Sequence, residues 1–231
     1  MTFADELREY VAKTHLTTWG RRDGQQVPST EDITLGNQAV NLDAVVLYAD
    51  LKDSTGLVHG YKDWFAAEIY KNYLYVVSRI IRALGGVITA FDGDRVMAVY
   101  IGDSKNSSAA KTALKINWAV INILQPAIDA QYPNNVYKLE QKVGIASSKT
   151  MVARTGIRGS NDLVWVGNAA NIAAKLAALN RGYPSYITQG VFNKLSEETK
   201  YGGEPPRQMW VDLGNSDGHG QIYGSTFWWG L

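Results

Sequence analysis

The chain has 231 residues with 23 basic and 22 acidic side chains, a formal charge of +1, and no cysteine. That length suits one domain with a short arm, and the charge balance argues against a long polyanion such as nucleic acid as partner. The missing cysteines exclude disulfides, thiolate metal sites and a cysteine nucleophile. No apolar run approaches the roughly 20 residues a membrane span needs, and the acidic MTFADELREY start is unlike a secretory signal, so a cytoplasmic protein without membrane contact is expected.

In chain order, Phe3, Leu7, Tyr10 and Val11 share one face of a short helix over Phe3 to Ala12. Trp19 to Leu42, rich in glycine and polar residues, reads as an irregular arm, which places an N-terminal arm at 1–42 and the main domain at 43–231. Ala44 to Leu51 reads as a buried strand running into the polar DSTG, where Ser54 or Thr55 starts a helix. Phe65, Ile69, Tyr73, Val77, Ile80 and Leu84 predict an amphipathic helix that stops at Gly85-Gly86. Val87 to Phe91 and Asp94 to Ile101 flank Asp92-Gly93, a hairpin turn signal. A helix over Ser107 to Gln131 follows, then strands over Val136 to Ser147 and Leu163 to Val166 separated by a loop, ARTGIRGSND. Gly167 to Leu179 reads as an alanine-rich helix, Tyr186 to Thr188 as a short strand, and QIYGSTFWW as the last strand. This order predicts an α+β sandwich with helices on a mostly antiparallel sheet.

Asp50 closes the first strand and Asp94 follows the hairpin turn. If those strands are neighbours, the two carboxylates meet at one sheet edge, the oxygen-rich setting that hard divalent cations prefer. Either aspartate alone reads more simply as a turn residue. His15, His59 and His219 have no partners at ligand spacing.

From about Asp43 onward the chain resembles the class III nucleotide cyclases. The resemblance rests on LYADLKDST, with Asp53 where glycine is usual, on GDRVMA, on KVGIAS with the loop after it, and on GNAANIAAK, all in the family order. It implies a homodimer with active sites shared between subunits, in which Asp50, Asp94 and the Leu51 carbonyl hold two Mg²⁺ or Mn²⁺ ions. Asn171 and Lys175, one helical turn apart, would come from the other subunit. The substrate would be a nucleoside triphosphate, with backbone N–H groups from Asp53, Ser54 and Thr55 to Gly56 cradling its phosphates.

Lys175 stands where the family carries an arginine, which keeps the charge but loses the planar fork. Its plainer reading is a surface lysine; Arg154, Arg158 and Arg181 are other sources of a guanidinium. The family's phosphate-binding lysine near the last strands has no counterpart. Ala90 and Val164 occupy the positions that read adenine in adenylate cyclases, which removes the argument for that base. Tyr48, sharing a face with Asp50, is the candidate replacement, whereas alternation from Asp94 turns Arg95 to the other face. With both purine readers lost, the chain looks like the pyrimidine cyclases of Pycsar antiphage systems, whose cyclic UMP or cyclic CMP acts on a separate effector. Uridylate is favoured over cytidylate; adenylate cyclase and an inactive cyclase-like regulatory dimer are the alternatives. The Gly-Gly-Asp/Glu-Glu-Phe turn of diguanylate cyclases is absent.

Overall fold

The computed structural model describes residues 1–216 and 218–231. Its elements are α1 (Phe3–Leu16), β1 (Gly20–Asp23), β2 (Gln38–Leu51), α2 (Ser54–Gly60), α3 (Asp63–Ala83), β3 (Val87–Asp92), β4 (Arg95–Tyr100), α4 (Lys105–Ala119), α5 (Gln125–Gln131), β5 (Gln141–Ile157), β6 (Ser160–Val166), α6 (Asn168–Ala177), β7 (Ser185–Thr188), α7 (Gln189–Phe192), α8 (Glu197–Lys200), β8 (Tyr201–Gly202), β9 (Arg207–Gln208), β10 (Val211–Ser216) and β11 (Gly220–Ser225). The chain forms two compact units, Met1–Asp43 with Lys149–Gly167, and Ala44–Ser148 with Asn168–Leu231. Both β2 and β5 contribute residues to each unit. None of the helices among the described residues is long and apolar enough to cross a membrane.

In the first unit, α1 begins on a reciprocal cap, in which the Asp5 N–H donates to Thr2 Oγ1 at 3.2 Å and the Thr2 N–H to Asp5 Oδ2 at 3.0 Å. The helix runs four residues past Ala12, and its far end is tied down by the Asn37 amide, which donates to the carbonyls of Thr14 and Thr17. No residue of α1 is buried. The arm read as irregular holds a strand: β1 pairs in parallel with residues 38–41, so β2 begins six residues before Ala44. Gly-Arg-Arg-Asp carries no alternation, and its strand character comes from the neighbour it pairs with. The stretch read as a loop is also a hairpin, in which residues 151–157 pair with 160–166 across Arg158-Gly159, with Gly159 at φ +85°. Closely spaced glycine and polar residues there mimic a loop, although only two residues turn.

In the second unit the strands lie in the order β10-β11-β7-β5-β2-β4-β3, antiparallel except where β5 meets β7 in parallel, among the pairs with a defined register. One sheet face carries Val45, Leu47, Ala49, Leu51, Val96, Ala98 and Tyr100, buried with the apolar stripe of α3 and with α4. On β7 and β11 the alternation separates Ile187 and Tyr223, which join that core, from Tyr186 and Ile222, which join Leu176 of α6 in a smaller one. Helices therefore cover both faces, as a sandwich requires. The long helix expected over Ser107 to Gln131 is interrupted by a π-helical turn, Val120–Leu124. This brings Pro126 into the first turn of α5, where its missing N–H costs least. The C-terminal strand ends at Ser225; beyond it, the Trp229 N–H donates to the Leu114 carbonyl at 3.1 Å and its ring lies against the core, whereas Trp228 is exposed.

Candidate active site

Strand β2 pairs antiparallel with β4, and β4 with β3, so the end of β2 and the β3–β4 turn lie on one edge of the sheet. Asp50 and Leu51 are the last residues of β2, and Asp94 lies in the turn that Gly93, at φ +61°, makes possible. The two aspartates interact. Burial first, and then the negative charge of Asp94, raise the Asp50 carboxyl from 3.8 to about 6. Asp94 Oδ2 is buried without a hydrogen-bond partner among the described residues. Two half-buried carboxylates that repel one another, one with an orphaned oxygen, form a donor set suited to a divalent cation. Among the described residues, no group of three or more His, Cys, Asp or Glu converges on one point, so this pair is the whole carboxylate contribution.

Asp53 lies just beyond β2, with φ 58° and ψ 42°, in the left-handed region that glycine occupies freely and aspartate tolerates. Its Oδ1 accepts from the Gly56 N–H at 3.2 Å and its carbonyl from the Leu57 N–H at 3.1 Å. The local cap explains how Asp53 replaces glycine at this bend. Of the N–H groups expected to cradle phosphates, that of Gly56 is engaged in this cap. Ser54 and Thr55 form the first turn of α2, and burial first, then the negative charge of Asp94, raise the pKa of Tyr70 on α3.

A cavity of about 470 Å³ opens beside these residues, lined by Asp50, Leu51, Lys52, Asp53, Lys142 and residues 177–180 at the end of α6. Lys142 was missed from the sequence, although it directly precedes the Val-Gly-Ile motif. Its Nζ donates to the Tyr183 carbonyl at 2.7 Å and lies 5.7 Å from the Tyr186 ring centroid. Burial, and then the neighbouring Lys52, lower its pKa. Lys52 itself is paired with Glu140.

Tyr48, Met97 and Ala90 form one cross-strand row, since Tyr48 is paired with Met97 and Met97 with Ala90. Arg95 lies on their side of the sheet, contrary to the alternation counted from Asp94. That count fails because Asp94 belongs to the turn and β4 starts at Arg95 itself. Arg95 bonds Asp92 at 2.7 Å, its guanidinium carbon stands 5.5 Å from the Tyr48 ring centroid, and its charge partly offsets the raised pKa of Asp50.

The remaining expected residues lie elsewhere. Val164, in the first unit, is 40 % exposed on β6 opposite Ala153. Asn171 and Lys175 are both exposed on one side of α6, whose other side buries Ala169, Ala173, Leu176 and Ala177. That buried side lies tight on Gly144, where an added Cβ would come within 2.1 Å of the Ala173 carbonyl oxygen. Arg154, one proposed source of a guanidinium, is held within the first unit by Asn161 at 2.7 Å and the Ile33 carbonyl at 3.4 Å.

Among solved structures, the adenylyl cyclase CyaB from P. aeruginosa matches with a TM-score of 0.69 at 21 % identity, covering 81 % of this chain and 95 % of that one. The guanylyl cyclase Cya2 matches with a TM-score of 0.67 at 15 % identity, covering 82 % and 94 %. The fold is therefore that of the class III nucleotide cyclases. No protein-family profile matches the chain. Curated relatives span it fully: a uridylate cyclase of Xanthomonas perforans is 47 % identical and one of Burkholderia cepacia 48 % identical, each over 99 % of both chains. The chain belongs to the family of these cyclases and is a nucleotide cyclase.

Proposed function

We propose that this cyclase converts UTP to 3′,5′-cyclic UMP and pyrophosphate. The observation that carries the substrate is the name shared by relatives 47–48 % identical over the whole chain, uridylate cyclase. Ala90 and Val164 support it, because neither side chain can hydrogen-bond a purine edge. Tyr48 and Arg95, stacked beside Asp50, offer a hydroxyl and a guanidinium near the reacting centre for contact with the base.

In this reading Asp50, Asp94 and the Leu51 carbonyl hold two divalent cations, Mg²⁺ or Mn²⁺. When bound, such ions acidify the ribose 3′-hydroxyl and neutralise the triphosphate. The 3′-oxygen attacks the α-phosphorus, its proton leaves, and the bond to the β-phosphate oxygen breaks as pyrophosphate departs. Lys142, lining the cavity with Asp50 and Asp53, contributes positive charge for the phosphates, a role the sequence left without a residue. Ser54 and Thr55 flank the same phosphate path.

Asn171 and Lys175 face outward on α6, so they act on substrate held by a second copy of the chain. Asn171 orients the ribose there, and Lys175 meets the developing phosphate charge as a point contact. The functional unit is then a homodimer with shared sites. The product serves as a second messenger in antiphage defence, acting on a separate effector protein. Incubating the purified chain and Mn²⁺ with each of the four ribonucleoside triphosphates tests the substrate: cyclic UMP as the main product is expected, and a product from CTP, ATP or GTP alone overturns it.

A further inference from the structure

Over its 14 residues α1 has no buried side chain, yet Phe3, Leu7, Tyr10 and Val11, each more than half exposed, line one face. A helix this short is marginal in water on its own hydrogen bonds, and helices of this length owe most of their stability to packing an apolar face. The Thr2 cap and the Asn37 bonds to the Thr14 and Thr17 carbonyls hold its two ends and leave that face bare. Its charges are arranged unevenly. Asp5 pairs with Arg8 at 3.0 Å, whereas Glu6 and Lys13 have no ion-pair partner among the described residues.

We infer that α1 is a docking surface for the α1 of a second copy of this chain, the two helices paired antiparallel across a two-fold axis. Phe3, Leu7, Tyr10 and Thr14 are spaced by four, three and four, the seam along which two helices pack. Antiparallel, that seam sets Leu7 against the partner's Tyr10 and Phe3 against the partner's Thr14. The Thr14 hydroxyl donates to the Tyr10 carbonyl of its own chain at 2.9 Å, so it enters the seam satisfied. On one flank Glu6 then meets the partner's Lys13, and by symmetry Lys13 meets the partner's Glu6; on the other, Ala4 meets the partner's Val11. A parallel pairing would set Glu6 beside the partner's Val11 and leave both charges unmatched. The acidic first turn and basic last turn of α1 also oppose each other only when the helices run in opposite directions. These charges single out a second copy, because an unrelated apolar partner would have to bring an anion and a cation at this spacing, whereas the chain supplies both itself. Such a contact is isologous and closes on two copies. It is separate from the shared active sites proposed above and does not rest on them.

Cross-linking tests it. The chain has no cysteine, so an introduced thiol is the only one it carries. Full-length Glu6→Cys is mixed with full-length Lys13→Cys and treated with a short bismaleimide. A covalent pair holding one of each is expected, with the second Glu6–Lys13 contact still in place. Either variant alone should give at least about tenfold less, because antiparallel pairing leaves two like positions roughly 10 Å out of step along the helix. Adding Leu7→Glu to both chains should lower the mixed product by about tenfold or more, since it puts an unpaired charge into the seam. Leu7 is half exposed in the single chain, so this change leaves the folded body intact. Three results overturn the inference. Absence of the mixed product means that α1 does not pair with itself in this way, equal yield from Glu6→Cys alone marks a different register, and a mixed product that Leu7→Glu leaves undiminished marks chance collision.

Discussion

The end of β2 and the outward side of α6 make an instructive contrast. Asp50 and Asp94 are half-buried, interact with each other and are backed by a packed core. Asn171 and Lys175 are exposed and face away from the core that buries Ala173 and Leu176. One region stores electrostatic repulsion that a ligand would relieve, while the other presents polar groups with nothing opposite them. In the proposed reading a single chain carries two unlike halves of a cyclase site, and a dimer with reciprocal sites would bring them together.

The strongest way to break that contrast is to remove one half. Asp50→Ala or Asp94→Ala is expected to lower kcat by at least about a thousandfold with the oligomeric state unchanged, read by cyclic nucleotide formation and light scattering. Asn171→Ala should cost about a hundredfold in kcat, since positioning supplies much of the rate in phosphoryl transfer. Mixing Asp50→Ala with Asn171→Ala sharpens the point. Random exchange between the two should restore roughly a quarter of the parent activity, because half the dimers then hold one intact site of two. No recovery after verified subunit exchange would mean that each chain completes its own site.

Gly144→Ala tests how α6 is held. The new methyl would meet the Ala173 carbonyl and the Ala177 N–H, so α6 must move, at a cost of about 1–3 kcal/mol read from denaturant unfolding. The expected loss of activity should exceed what that destabilisation alone produces, because Asn171 and Lys175 move with the helix.

The smallest effect concerns the stored repulsion. Asp50 has a folded-state pKa of about 6 against an ordinary 3.8, so the folded metal-free chain binds more protons between those values. Its stability therefore falls as pH rises through that window, the reverse of a salt-bridged aspartate. Allowing for solvent screening, Asp50→Asn should be about 1 kcal/mol more stable than the parent at pH 7.5 without metal, and the advantage should vanish below pH 3.8.

Much of this was legible in the chain itself. The three-and-four spacing from Phe65 to Leu84 fixed α3 and its buried stripe, Asp92-Gly93 fixed the hairpin, and the apolar run from Ala44 to Leu51 ending in polar residues fixed the last half of β2. Those signals are local, set by side-chain period and turn chemistry, so sequence reading finds them. β1, the first residues of β2 and the hairpin through Arg158-Gly159 were missed because strand pairing is a long-range choice that glycine-rich polar segments do not announce. Arg95 was assigned to the wrong side because alternation was counted from a turn residue. Lys142 looks like an ordinary strand lysine until tertiary packing sets it beside the cavity.

By itself the sequence determined α3, the β3–β4 hairpin, the last half of β2 and the aspartates at its edge, because residue identity and spacing are properties of the chain. Only the tertiary structure decided which charges meet and which face outward: that Asp94 raises Asp50, that Arg95 lies over Tyr48, and that Asn171 and Lys175 lie on the exposed side of α6. Electrostatic and hydrogen-bond energies depend on distance and burial, and those exist only once distant segments are folded together.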